Sequence, residues 1–483
     1  MSAGNSSSTP WNYIKTSDSE VVMKKHVYCL ILICMLLFPA LAGCGIGRTA
    51  DSEPDYSWFV FPEETGELVI YTDDEQFAAV MEPALQLFKE LSPDSEVTYQ
   101  IVGEDEYKTM LREDIPAGRG PDLVLFKSNT FPDIYKIMSE DLFIDLNPYF
   151  FMDEDIDLED FIGTVMDGGV LNGKRYAAPI NYEMPLLLTT RSILKDLDMK
   201  KSDLDSSCES FFDAAVRFHE QYPDGDLFID QCGGYSPDQL YIRSLYLSLG
   251  FNFIDYRTDK VTIDEDLFHQ FIDIVKLYYN PDYDITDLSK ESLDNGFYYN
   301  GGALRVKKCL FDTFNRSYSQ YNQATGYLDR RGVMTALTAQ RNQDGGVTAE
   351  ISLCAAIPSA SANKAAAWTL LKILLSDEIQ GGHDASRYNL PYFWTGYPVR
   401  RDSIRSFLHS DNGTETDALF IPESLISQEE YIEMVQSPTE ARMIPNVYRQ
   451  LMEEEIMPYI RGEKAWKQCY KSLVKALKSY MKS

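Results

Sequence analysis

Basic charge, histidine and paired cysteine are all scarce in this chain, and each shortage removes a class of function. Lys and Arg number 44 against 75 Asp and Glu, for a formal net charge of -31. A surface of that sign repels phosphate backbones and anionic headgroups, which sets nucleic-acid binding aside. The five histidines, His26, His219, His269, His383 and His409, are dispersed, with no HExxH or other metal-ligand spacing. GxSxG and P-loop strings are absent, and Gly118-Arg119-Gly120 lacks the third glycine and the preceding strand of a dinucleotide fingerprint. Asp153, Asp155 and Asp157 invite a calcium loop, but Leu158 and Thr164 stand where that loop requires Gly and a bidentate Glu. A solvated acidic segment is the better reading. No apolar run reaches the ~20 residues that a permanent transmembrane helix needs.

What is present begins with residues 23–44, MKKHVYCLILICMLLFPALAGC. Lys24 and Lys25 precede an apolar stretch from Val27 to Ala40, and Leu41-Ala42-Gly43-Cys44 closes it with small residues around a cysteine. That order is a bacterial export signal with a lipoprotein cleavage box, preferred over a membrane anchor followed by an ordinary cysteine. Residues 1–22 read as a start-site extension, 23–43 as the signal peptide, Cys44 as the lipidated first residue, and 44–65 as a tether rich in Asp, Glu, Ser and Pro. The protein is therefore expected at the outer face of the cytoplasmic membrane. Residues 1–43 carry three Lys against one Asp and one Glu, which leaves -32 on the remainder. With Cys29 and Cys34 assigned to the leader and Cys44 lipidated, Cys208, Cys232, Cys309, Cys354 and Cys469 remain, widely spaced and without a CxxC pair. Buried thiols are expected, with one bridge such as Cys208 to Cys232 left open.

From Glu67 the pattern changes to that of a folded body. Leu68 to Tyr71 is a β run, and Phe77 to Leu91 has apolar residues at helical spacing. Val97 to Val102 reads as a strand, Tyr107 to Ile115 as a helix and Leu123 to Phe126 as a strand, the alternation of a parallel α/β sheet. Further on, Ser210 to Glu220, Leu267 to Tyr279 and Lys364 to Leu375 read as helices, and Val333 to Thr338 and Ile351 to Ile357 as strands. The tail from Glu453 to Met481 reads as helical, with Trp466, Tyr470, Leu473, Val474, Leu477 and Met481 on an apolar face. Lys464, Lys467, Lys471, Lys475, Lys478 and Lys482 form its basic, solvated face.

Several strings then stand in a telling order. "GELVIYTDDEQFAAVMEPALQLFKE", "AGRGPDLVLFKSNTFPDIYK", "LFIDLNPYF", "LNGKRYAAPINYEMPLLLTTRSIL", "FYYNGGALRV", "SANKAAAWTLLKILLSDEIQ", "GYPVRRDSI" and "EEEIMPYIRGEKAWKQCYKSL" resemble successive blocks of family 1 extracellular solute-binding proteins of ABC importers, the maltose-binding-protein-like group. The resemblance implies an α/β, periplasmic-binding-protein-like type II fold, two α/β lobes with a hinge and a ligand cleft between them. Lobe 1 is expected over 66–180 with 333–390, and lobe 2 over 181–332 with 391–483.

In open α/β sheets a ligand crevice forms at the carboxyl ends of strands. Thr72, Asp73 and Asp74 follow the first strand, Lys127, Ser128 and Asn129 follow the Gly-Pro-Asp strand, and Asn181, Tyr182 and Glu183 sit at the hinge crossing. Matched to the family, Asp73, Asn129 and Glu183 resemble contacts to ligand hydroxyls, and carboxylates and amides suit the vicinal hydroxyls of a sugar. Each of these could equally be a turn or a helix cap at a strand end. Trp394 in a turn-rich loop, Tyr182, and Tyr448 in "MIPNVY" are the aromatic candidates for stacking on sugar rings. No metal or cofactor is implied. The implied role is that of a monomeric, lipid-anchored protein delivering a small solute, a sugar or oligosaccharide, to importer permease subunits. A cell-surface glycoside hydrolase, or a sensing lipoprotein for a membrane kinase, is the alternative.

Overall fold

The computed structural model describes residues 56–62, 66–73, 77–228, 248–279, 301–312, 318–381, 396–405 and 428–482. Cys44, Asp74, Cys232 and Trp394 lie outside the described residues. Contacts divide the chain into Met1–Trp58 and Phe59–Ser483, and the described sheets and helices all lie in the second part.

Strand β1 (Glu67–Thr72), helix α1 (Phe77–Leu91), β2 (Glu96–Ile101) and β3 (Leu123–Lys127) realise the expected alternation. β1 runs parallel to both β2 and β3, an arrangement that requires crossover connections. α1 buries Phe77, Met81, Ala84 and Phe88, residues three and four apart on one stripe. Leu123, Val124, Leu125 and Phe126 are all buried, so β3 is covered on both faces. The segment expected as a helix from Tyr107 to Ile115 is α-helical only over Glu104–Thr109. Met110–Asp114 then widens into a π turn, which brings the adjacent Met110 and Leu111 both into the core.

The further strands that frame the site are β4 (Ala178–Glu183), β5 (Leu186–Thr190), β6 (Asp226–Phe228), β7 (Cys309–Phe311), β8 (Thr335–Ala339), β9 (Thr348–Ala356), β10 (Tyr397–Pro398) and β11 (Glu440–Arg442). The main sheet has the order β10-β4-β9-β3-β1-β2, with β11 pairing in parallel along the start of β9. β9 is antiparallel to both β3 and β4. Elsewhere β8 is antiparallel to β5 and β7 is parallel to β6. Asp312 N donates to Leu188 O at 2.8 Å, and Thr189 Oγ1 donates to Leu310 O at 2.7 Å, which sets β7 beside β5. The chain thus leaves the main sheet between Glu183 and Leu186 and returns between Ala339 and Thr348.

Helices clothe the sheets: α2 (Ile134–Ser139), α3 (Arg191–Asp196), α4 (Lys201–Leu204), α5 (Cys208–Gln221), α6 (Glu265–Leu277), α7 (Lys364–Leu374), α8 (Asn446–Glu455) and α9 (Trp466–Tyr480). α7 packs on α1 and α5 on α6. Trp466 of α9 stacks on His269 of α6 with ring centroids 4.1 Å apart. The tail is not the single helix its periodicity suggests. α8 stops at Glu455, and Gly462, in the left-handed region at φ 77°, lies in the break before α9. Within α9, Trp466, Leu473 and Leu477 are buried, while the six lysines from Lys464 to Lys482 are exposed. Cys208, Cys309, Cys354 and Cys469 are buried, and burial pushes the Cys208 thiol up to about 12.

The acidic run that begins at Asp153 has a structural use. Asp153 accepts from Trp368 Nε1 at 2.6 Å and pairs with Lys372 at 2.8 Å. Burial alone would raise its carboxyl, but these bonds outweigh burial and lower it. Asp122 of the Gly-Pro-Asp string is buried and accepts from Val69 N at 2.9 Å, Ser361 Oγ at 2.7 Å and Asn363 Nδ2 at 3.0 Å. One carboxylate therefore ties β1, the entry to β3 and the approach to α7 together.

Candidate functional site

β1, β3 and β4 all point their carboxyl ends the same way, because β1 is parallel to β3 and β9 is antiparallel to both β3 and β4. Along β9, Lys127 pairs with Leu353 and Glu183 with Glu350. Glu183 therefore stands three residues further along the sheet edge than Lys127, roughly 10 Å at strand spacing. Arg442 of β11 pairs with the same Glu350. Residues opposite each other in a ladder share a face, so Glu183, Glu350 and Arg442 line up across three adjacent strands at the point where the chain leaves the main sheet. All three are partly exposed. Arg442 is held by Glu440, with Nε 2.6 Å from Oε1, and its Nη1 is buried with no hydrogen-bond partner.

The loop after β3 forms the second part of the site. Ser128 N donates to Ser352 O at 2.9 Å, and the Thr130 hydroxyl donates to the Asp73 carboxylate, joining the ends of β1 and β3. Asp133 then caps α2, its Oδ1 accepting from Tyr135 N at 3.0 Å and Lys136 N at 3.2 Å. Its Oδ2 accepts from the Tyr256 hydroxyl, which in turn accepts from Tyr448 Oη at 3.0 Å. The Tyr480 hydroxyl reaches the same carboxylate. Burial pushes the Asp133 carboxyl up although every one of these bonds works to lower it, and burial raises the Tyr256 phenol as well. Tyr135 Oη accepts from Met443 N at 3.1 Å, and Val447 N donates to Pro132 O at 2.8 Å, so the segment leading from β11 into α8 is fastened to this loop.

The residues singled out from the sequence divide into two groups. Asp73, Lys127, Asn129 and Glu183 are partly exposed at the strand ends. Thr72, Ser128, Asn181, Tyr182 and Tyr448 are buried. Asn181 Oδ1 accepts from Leu353 N at 2.9 Å, where the β4 and β9 register shifts. Tyr182 is fully buried, its hydroxyl donating to Val435 O at 2.6 Å. Gly396 presses on the same strand: a Cβ there would lie 2.2 Å from Tyr182 O. Sequence reasoning missed Glu350, Arg442, Thr130, Asp133 and Tyr256. The string "NTFPD" already held a helix-cap signal at Asp133, whereas nothing local marks Glu350 or Arg442. Among the described residues no group of three His, Cys, Asp or Glu side chains could hold a metal ion, and no helix is long and apolar enough to cross a membrane.

The family profile described as bacterial extracellular solute-binding protein matches residues 71–381, a span that runs from the end of β1 through β9 and α7. The chain belongs to that family. Solved solute-binding proteins share its fold at low identity. The sugar-binding protein MalE of Xanthomonas citri is 14% identical, aligned over 86% of this chain and 97% of its own, with a TM-score of 0.60. The GacH receptor of Streptomyces glaucescens, solved without ligand and with acarbose, is 15% identical over 87% of this chain and 100% of its own, with a TM-score of 0.52. An ABC-transporter solute-binding protein of Thermotoga lettingae bound with alpha-D-tagatose is 14% identical over 86% and 100%, at 0.52. No curated protein sequence matches the chain. The architecture is accordingly the mixed α/β, two-lobed type II fold of solute-binding proteins.

Proposed function

We propose that this solute-binding protein is a lipid-anchored capture component of an ABC importer and that its ligand is a carbohydrate. One lobe would be built on the main sheet and the other on β5 to β8, with the crossings at 183–186 and 339–348 serving as hinge. The observation that carries the reading is the alignment of Glu183, Glu350 and Arg442 in register beside those crossings. Two carboxylates and a guanidinium supply acceptors and donors in the paired geometry that vicinal hydroxyls require. Asp73, Lys127, Asn129 and Thr130 would add contacts from the neighbouring strand ends. The sugar ligands named for the GacH receptor and the Thermotoga protein support the same solute class.

Closure follows from differential contact. A solute touching both lobes stabilises the shut form over the open one, and the shut form is what permease subunits would read. The string ending at Cys44 supports anchoring by lipid, since two or more acyl chains hold a protein at a membrane where one does not. Calorimetry and thermal melting against a panel of mono- and oligosaccharides test the proposal, with product analysis on the same samples. Saturable heat and a raised melting temperature with intact sugar are the expected result. Shortened products would establish the hydrolase instead, and no response to any sugar would remove the carbohydrate assignment.

A further inference from the structure

A cavity of about 290 Å³ lies at the far end of β5 and β8, lined by Arg191, Leu194, Met199, Lys200, Lys201, Thr335, Ala336 and Leu337. Thr335 pairs with Thr190 there, whereas Ala339 pairs with Leu186 at the crossing, so the cavity is at the opposite end of the ladder from the proposed hinge. Three cations line one small space in a chain whose net charge is -31. Two of the nearby acids are engaged away from the cavity, and the third, Asp203, bonds at its rim. Asp203 Oδ2 accepts from Lys200 N at 2.8 Å, Asp205 pairs with Arg341 at 2.6 Å, and Asp196 is bonded to Lys307. Among the described residues none of Arg191, Lys200 and Lys201 has a carboxylate partner, and the Arg191 guanidinium reaches only the Met334 sulfur at 4.0 Å.

The walls have a different character from the rim. Leu194, Met199, Ala336 and Leu337 are buried apolar side chains. Thr335 is 4% exposed, and its Oγ1 is buried with no hydrogen-bond partner. We propose that this cavity binds a small organic anion, a carboxylate or phosphate ester carrying a ring or short hydrocarbon body. The anionic head would be held by Arg191, Lys200 and Lys201, and the body would lie against the apolar wall. The volume falls at the small end of ligand cavities, ~300 Å³ and upward, which fits one ring and excludes an oligosaccharide. The site is separate from the sugar site proposed above and stands or falls without it.

Phenyl phosphate is the probe, titrated by calorimetry into the full chain in detergent, with benzyl alcohol and inorganic phosphate as half-probes. The expected result is saturable binding of phenyl phosphate, at least about tenfold weaker binding of each half-probe, and at least about tenfold loss in the Arg191→Gln, Lys201→Gln double variant. Because Arg191 and Lys201 are exposed, the double variant is expected to keep the melting temperature of the free protein, which separates a lost contact from a lost fold. Binding must persist in Glu183→Gln, since that residue ends β4, beyond the crossing at the other end of the β5–β8 ladder. Absence of binding at millimolar phenyl phosphate, undiminished binding in the double variant, or loss in Glu183→Gln would each overturn the proposal.

Discussion

Replacing Asp133 separates two accounts of why a carboxylate is buried between the loop after β3 and three tyrosines. In Asp133→Ala, Tyr135 N and Lys136 N lose their cap, which costs about 1 kcal/mol at a typical helix start. The hydroxyls of Tyr256 and Tyr480 also lose their acceptor, and each bond to a charged group is worth about 1.5–3 kcal/mol before desolvation is counted. Desolvation offsets part of that sum, because burial raises this carboxyl and so disfavours its charged form. The net loss expected for Asp133→Ala is about 2–3 kcal/mol. Asp133→Asn keeps an oxygen for the two amides, offers an N–H to the Tyr256 oxygen and removes the buried charge, so its change is expected within about 1 kcal/mol of zero. Urea unfolding of both variants, followed by tryptophan fluorescence at neutral pH, measures the difference. If the amide destabilises as much as alanine does, the charge itself holds the loop, and the account based on cap and hydrogen-bond geometry is refuted.

Asp226, whose carboxyl burial lifts from 3.8 to about 6, makes a pH test possible. The native state keeps that proton to higher pH than the unfolded chain, so stability declines as pH rises through this window and stays lower above it. Asp226→Asn should therefore gain roughly 2 kcal/mol near pH 7.5 and almost nothing near pH 4, and equal shifts in melting temperature at both would contradict the burial argument. Gly396→Ala combines a φ of +104° with a Cβ 2.2 Å from Tyr182 O, and should cost more than about 3 kcal/mol, read as a lower melting temperature; a neutral result would mean β10 is not seated on β4. Once a sugar is identified, Glu183→Gln and Glu350→Gln should each weaken it at least about tenfold with little change in melting temperature. Unchanged affinity in both would place the ligand elsewhere.

Much of the first half of the main sheet was legible because its signals are local. The helical spacing of Phe77, Met81, Ala84 and Phe88 and the unbroken apolar run of Leu123 to Phe126 each depend on residues within a few positions of one another. The tail was over-read for the same reason: local spacing does not register a break, and α8 ends at Glu455 with a left-handed Gly462 before α9 begins at Trp466. At the strand ends, the sequence could not say which side chains turn inward. Tyr182 and Tyr448 look like stacking platforms by type, yet both are buried and both hydrogen-bond within the protein.

The string of residues alone determined the α/β alternation from Glu67 onward and the family, since both are carried by nearest neighbours and by the order of short blocks. Only the tertiary structure decided that Glu183, Glu350 and Arg442 stand side by side, and that Asp133 caps a helix while serving Tyr256. Those juxtapositions rest on strand register between segments far apart in the chain, and a slip of one residue in that register would turn each side chain to the opposite face of the sheet.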